Sequence, residues 1–337
     1  MKTKLDYKYV VNGGNSGIVV NDRVFGGQSA CIRAIQFRAR TEDKTLTLEE
    51  RVKNEEDPKK FFIFSKGLLF EEAIAKRERL LSKQVVFEDV KLVHELDSET
   101  CISMSKDLEY GYDPELGVLD DEYNIKSTKQ YKIDSEGYKT IHRNIPKITK
   151  DYTPILELKG INTGDRARKV MVENGVWDEN YLYQLGKYML YSNNIHGILM
   201  YNAAITPTPF TSKKVKYKIK ELDSKCFFVR IKDDSDLLHV GESYDSVVPV
   251  DISLQNLHDH TLLAAMWLKK DNELYPHRPE YKFDESKYGC MFCKHLLTCN
   301  KYDSGELKTL QDCIDDIQQE ESRETLLKNS KIRKLII

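Results

Sequence analysis

The sequence predicts one integrated α/β domain. Two features carry that expectation: strand-length apolar segments interleave with amphipathic helical stretches, and no repeat or low-complexity linker separates them. A third feature lies near the C-terminal end, where Cys290, Cys293 and Cys299 form a C-x2-C-x5-C run. Thiols at that spacing can wrap one metal centre.

Composition narrows the function classes. The chain has 337 residues, of which 40% are hydrophobic and 31% charged, so it can bury a sizeable core. Its formal net charge is only −2, so nucleic acid would have to be met by a local basic patch rather than by overall charge. No apolar run is long enough to span a bilayer, and Met1–Asp6 holds no apolar signal core. A cytoplasmic, membrane-free protein is expected, and in a reducing compartment clustered cysteines read as metal ligands rather than disulfides.

Along the chain, residues 8–28 read as short strands and turns around two Gly-Gly pairs. Asn12–Gly17 is glycine-rich but lacks the Gly-Lys-Ser/Thr ending of a phosphate loop, and reads as a hairpin turn. Ser29–Arg40 is expected to be helical, 41–60 a charged surface stretch, and Gly67–Lys83 a second helix. Val90–His94 and Cys101–Ser105 are expected as strands, Tyr131–Ile141 as a hairpin and Pro154–Lys159 as a compact strand. Asp178–Asn193 has helical amphipathicity, followed by an apolar strand over Ile195–Tyr201. Lys214–Ile231 reads as two strands split at Asp223–Lys225, Ile252–Lys270 as a helix, and Glu306–Leu327 as a charged terminal helix. The expected organisation is a domain over 1–302, with an insertion near 124–150, and a charged helix and tail over 303–337.

Three short motifs carry chemistry. Residues i and i+2 of a strand share a face, so Glu157 and Lys159 in Ile155-Leu-Glu-Leu-Lys159 project together. Gln184 and Tyr188 stand one helical turn apart and share a helix face. The cysteine triplet lacks a fourth ligand, and the leading choice is Cys31, far upstream in Ser29-Ala-Cys-Ile-Arg33. Spacing alone admits zinc or an iron–sulfur cluster. Cys101, Cys226 and Cys313 read as buried structural thiols. His295 is expected at the surface rather than as a ligand, and His258 and His260 as non-ligands.

The ordered set of early Cys, Gly-x3-Glu, Glu-x-Lys, Gln-x3-Tyr and late Cys triplet resembles the RecB-type nucleases of the PD-(D/E)xK superfamily. It is closest to the iron–sulfur branch that includes CRISPR adaptation exonucleases and AddB-type nuclease domains. The resemblance spans roughly Ser29 to Cys299. It implies a restriction-endonuclease-like core, a mixed central sheet flanked by helices, with the N- and C-terminal segments joined by four cysteines. It also implies a [4Fe–4S] cluster on Cys31, Cys290, Cys293 and Cys299, and a catalytic Mg²⁺ or Mn²⁺. Glu71, from Gly67-Leu-Leu-Phe-Glu71, would be a metal ligand together with Asp120 and Glu157. The family's acidic residue on the preceding strand is assigned to Asp120, in Gly117-Val-Leu-Asp120, with Asp107 as the rival. Glu157, Lys159 and this Asp would be catalytic, while Gln184 and Tyr188 would contact DNA or order the lysine. The implied activity is a metal-dependent exonuclease on single-stranded DNA or DNA ends, in repair, recombination, viral DNA processing or CRISPR adaptation, with protein partners in a repair or CRISPR complex. The competing expectation is a catalytically decayed nucleic-acid-binding or assembly subunit with the same fold.

Overall fold

The computed structural model describes residues 2–15, 17–26, 28–42, 71–72, 74–75, 85–114, 148–162, 177–204, 224–278, 290 and 293–322. In chain order the elements are β1 (Tyr9–Asn12), β2 (Gly17–Val20), β3 (Arg23–Gly26), α1 (Ile32–Thr41), β4 (Val85–Glu95), β5 (Thr100–Gly111) and β6 (Ile155–Asn162). Then come α2 (Glu179–Ser192), β7 (His196–Ala204), β8 (Ser224–Arg230), β9 (Leu237–Gly241), β10 (Val248–Ser253), α3 (Leu254–Leu268), α4 (Leu296–Asp303) and a helix over 310–322, here α5. The α/β class is as expected. A large mixed sheet runs β1-β5-β6-β7-β8-β9-β10, with β4 paired to β5. Among the described residues no helix is long and apolar enough to cross a membrane.

The chain forms two compact units. The first gathers Met1–Thr45, Val93–Ser103 and Asn256–Ile337. Here β1 lies parallel to the start of β5, Tyr9 opposite Thr100. β2 and β3 make a two-residue hairpin whose turn residues Asn21 and Asp22 both have positive φ, the backbone that suits the twist of a tight hairpin. A Cβ on Gly17 would stand 2.5 Å from the Ala30 Cβ and 2.8 Å from His260 Nε2, so only glycine admits this approach. Helix α1 grips the C-terminal segment through two buried polar residues that are satisfied by backbone. Gln36 donates to Trp267 O and Glu273 O and accepts from Tyr275 N–H. Arg33 donates to Tyr275 O and Pro276 O, both at 2.7 Å, and pairs with Asp303. Leu310, Cys313, Ile314 and Ile317 of α5 close a buried cluster with Phe37, Leu274 and Cys299.

The second unit holds Leu46–Leu92 and Met104–Gln255. β5 runs antiparallel to β6, with Leu108 opposite Leu156, and β6 runs parallel to β7 over Ile155–Asn162. A parallel pair needs a crossover, and α2 supplies it. Asp178 caps the helix by accepting from Asn180 N–H, and Asn193 ends it in the left-handed conformation. Gly197 lets the helix sit close, since a Cβ there would meet Met189 Sδ at 2.7 Å. One sheet face buries Leu156, Leu158, Ile198, Met200 and Phe228 with Leu108 and Tyr110. Glu157 and Lys159 alternate onto the other face, the one α2 covers.

Candidate functional site

Glu157 lies in the middle of β6 and is fully buried. Its Oε1 accepts from the Lys159 ammonium in an ion pair. Its Oε2 is buried with no hydrogen-bond partner in the structure. Such an atom costs about 1–3 kcal/mol, more when charged, so Glu157 keeps one oxygen open to a further donor or cation. Burial holds the Glu157 carboxyl well above the ordinary carboxylate range; the Asp107 charge adds to this, Lys159 opposes it, and Glu71 adds a smaller push. Burial alone would lower the Lys159 pKa, but the Glu157 and Asp107 charges outweigh it and keep the ammonium protonated. The same ammonium sits 4.8 Å over the Tyr181 ring, a cation–π contact that fixes its direction.

Among the described residues, the strand carboxylate beside Glu157 is that of Asp107. It comes from β5, and its Oδ2 accepts from Leu158 N–H at 2.7 Å. Asp120 lies outside the described residues, as do residues 115–147 and the Gly67–Phe70 part of the Gly-x3-Glu motif. Glu71 is helical and half-buried, and its charge reaches Glu157. On α2, Gln184 donates to the Tyr188 hydroxyl at 2.8 Å, and Tyr188 is buried. The expected shared face is therefore present. Tyr181 was not singled out in the sequence, although it stands three residues before Gln184 on the same helical face, which was the available signal. Lys187, on another face of α2, is fully buried, and burial pushes its ammonium down to about 7.

In the first unit, Cys31 caps the N-terminus of α1. His260 Nε2 lies 2.9 Å from Ala30 O, anchoring the residue before it. Cys293 N–H donates to Cys290 O at 2.9 Å, and Cys299 lies in α4. Burial pushes the Cys31 thiol up to about 11 against the opposing Ala34 backbone, and Cys299, Cys293 and Cys290 each add to the rise, so all three lie within electrostatic reach of Cys31. Burial also raises Cys299, while Arg33 and Arg278 pull it back. Both arginines are tied to Asp303, at 2.8 and 2.7 Å. Cys101, Cys226 and Cys313 are buried, as expected of structural thiols. His295 is not at the surface as expected: it is 3% exposed, because its ring packs 5.1 Å from that of Phe37. Burial pushes it down to about 4, so it is neutral.

Among the described residues no three His, Cys, Asp or Glu side chains are already closed around a point that a metal ion could occupy. The donor chemistry fits a hard cation at the carboxylates and a thiophilic centre at the cysteines. Comparison with known proteins finds no matching family model, no similar curated protein and no similar solved structure.

Proposed function

We propose that the chain is a metal-dependent DNA exonuclease that hydrolyses phosphodiester bonds in single-stranded DNA or at DNA ends, of the iron–sulfur RecB type it resembles. The observation that carries this reading is the orphaned, buried Glu157 Oε2 beside the Asp107 carboxylate and the Lys159 ammonium, within reach of Glu71. Glu71, Asp107 and Glu157 would hold Mg²⁺ or Mn²⁺. When bound, such an ion neutralises charge at the phosphate and activates a water. Lys159, protonated and directed by Tyr181, is suited to stabilise negative charge that develops on the phosphate. Gln184 and Tyr188, joined in one hydrogen bond, offer a rigid polar edge on the helix above.

A decayed binding subunit would lack an acid beside Glu157, and the position of Asp107 there supports the active reading instead. Cys31, Cys290, Cys293 and Cys299 would hold the [4Fe–4S] cluster, and Arg33 and Arg278 supply positive charge beside a centre that carries net negative charge. The test is cleavage of end-labelled single- and double-stranded DNA, each end blocked in turn, with Mg²⁺ or Mn²⁺. End-dependent degradation is expected. Tight DNA binding without cleavage by either ion would replace this reading with the binding subunit.

A further inference from the structure

On the sheet face opposite Glu157, Tyr152, His196, Arg230 and Tyr244 form a cluster that nuclease chemistry does not use. His196 opens β7 and Arg230 closes β8, and they are direct cross-strand partners, so their side chains share a face. That face continues into Ile198, Met200 and Phe228 of the core, whereas Glu157 alternates the other way. The Tyr152 ring meets His196 at 5.0 Å and Tyr244 at 4.9 Å, both edge-on. The Arg230 guanidinium lies 4.5 Å over the Tyr244 ring.

Six buried side-chain polar atoms among the described residues have no hydrogen-bond partner, and three of them are here: Tyr152 Oη, His196 Nδ1 and Arg230 Nε. Tyr152 and His196 are each 6% exposed, so bulk solvent does not satisfy them. Each orphan costs about 1–3 kcal/mol, and three in one place call for an occupant. The tyrosine O–H and arginine Nε–H are donors. The His196 ring already hydrogen-bonds the Asp151 backbone, and its Nδ1 donates only when the ring is protonated. Among the described residues no carboxylate pairs with Arg230. Donors around an uncompensated cation fit an anion better than neutral water. Arg230 and Tyr244 keep part of their surface in solvent, which leaves a way in.

We propose that Tyr152, His196 and Arg230 form a binding site for a small oxyanion of the phosphate class, with Tyr244 as its aromatic wall. His196 takes up a proton as the anion binds. Burial and the Arg230 charge hold it below its ordinary value in the free protein, so its protonation from solvent is coupled to arrival of the anion. The groups facing the ring are Arg230 of β8, Tyr152, Tyr244 and the Asp151 backbone. Binding therefore tightens as pH falls towards the ordinary histidine range.

The experiment is calorimetric titration of the full chain with inorganic phosphate, in two buffers of different ionisation heat. One phosphate per chain with net proton uptake is expected. Tyr152→Phe, which keeps the ring and removes only the hydroxyl, should weaken binding roughly tenfold, the worth of one hydrogen bond to a charged group. Arg230→Gln should weaken it further, and Arg230→Lys should restore part of the loss. A nucleoside 5′-monophosphate binding more tightly than phosphate, with the same response to Tyr152→Phe, would assign the site to phosphomonoester ends; equal or weaker binding would assign it to the free ion. Absence of phosphate binding by the folded protein overturns the proposal, as does binding that Tyr152→Phe leaves unchanged. Because DNA cleavage is not the readout, either result leaves the nuclease reading standing.

Discussion

Glu157 is held at a site that penalises its charge, a shift found both at functional sites and in structural ion pairs. The pair Glu157 and Lys159 was legible from strand alternation alone, since i and i+2 must share a face. The identity of the neighbouring acid was not. Gly117-Val-Leu-Asp120 is the better local match and lies outside the described residues, whereas Asp107 comes beside Glu157 through strand pairing, which local sequence does not encode. Asp107→Asn is expected to lower DNA cleavage on the order of 10²–10³-fold, the usual scale for one charge-stabilising group. Asp120→Asn, measured in parallel, should keep most activity. Equal losses would put both carboxylates in the reaction. Glu157→Gln should lose cleavage to a similar degree while the melting temperature changes little, because relief of the buried carboxylate offsets the lost partner of Lys159, which keeps Asp107 and Tyr181 beside it. A fall in both activity and melting temperature would mean that Glu157 serves the fold.

Helix α2 was readable nearly to the residue. Its expected span, Asp178–Asn193, coincides with the capping residues, because an Asp cap and a left-handed Asn stop are local signals. β5 was underestimated, ending in the structure at Gly111 rather than Ser105. Its second half alternates buried Met104, Lys106, Leu108 and Tyr110 with the more exposed Ser105, Asp107 and Glu109, and the lysine at a buried position, paired with Glu109 at 2.7 Å, disguises the pattern. β9 and β10 were not anticipated: β9 follows an acid-rich turn, and β10 is mostly exposed, so neither shows clear alternation. Lys187 makes a test at the level of the helix. Its ammonium falls from an ordinary 10.5 to about 7 in the folded protein. Between those values the unfolded chain binds more protons than the folded one, so stability rises with pH across that window. Lys187→Met should be more stable than wild type at pH 7, and the gap should shrink by pH 10. Urea denaturation at both pH values checks this, and a gap independent of pH would show that the lysine is not discharged by burial.

At the scale of the whole molecule, the first unit is assembled from three separated stretches of chain, and α1 is where the first and last of them meet. Protein contacts already join them through Arg33, Gln36 and Phe37, so the proposed cysteine centre would add to an existing interface rather than create it. That predicts a specific outcome on removing a ligand. The C-x2-C-x5-C triplet was legible because its spacing is local, whereas the reach of Cys31 to it depends on the packing of α1 and on His260 anchoring Ala30. Protein prepared without oxygen should carry iron and inorganic sulfide and absorb broadly in the visible. Cys31→Ser should lose that iron as fully as Cys290→Ser, since any missing thiolate opens a four-ligand shell. Cys101→Ser, at a buried thiol in β5, should retain it. Because metal binding adds to folding free energy, Cys31→Ser should also lower the melting temperature, yet still melt cooperatively on the remaining α1 contacts. Full iron content in Cys31→Ser would exclude Cys31 from the centre. Stoichiometric zinc in place of iron would keep the four thiols as ligands and replace the cluster with a structural zinc site.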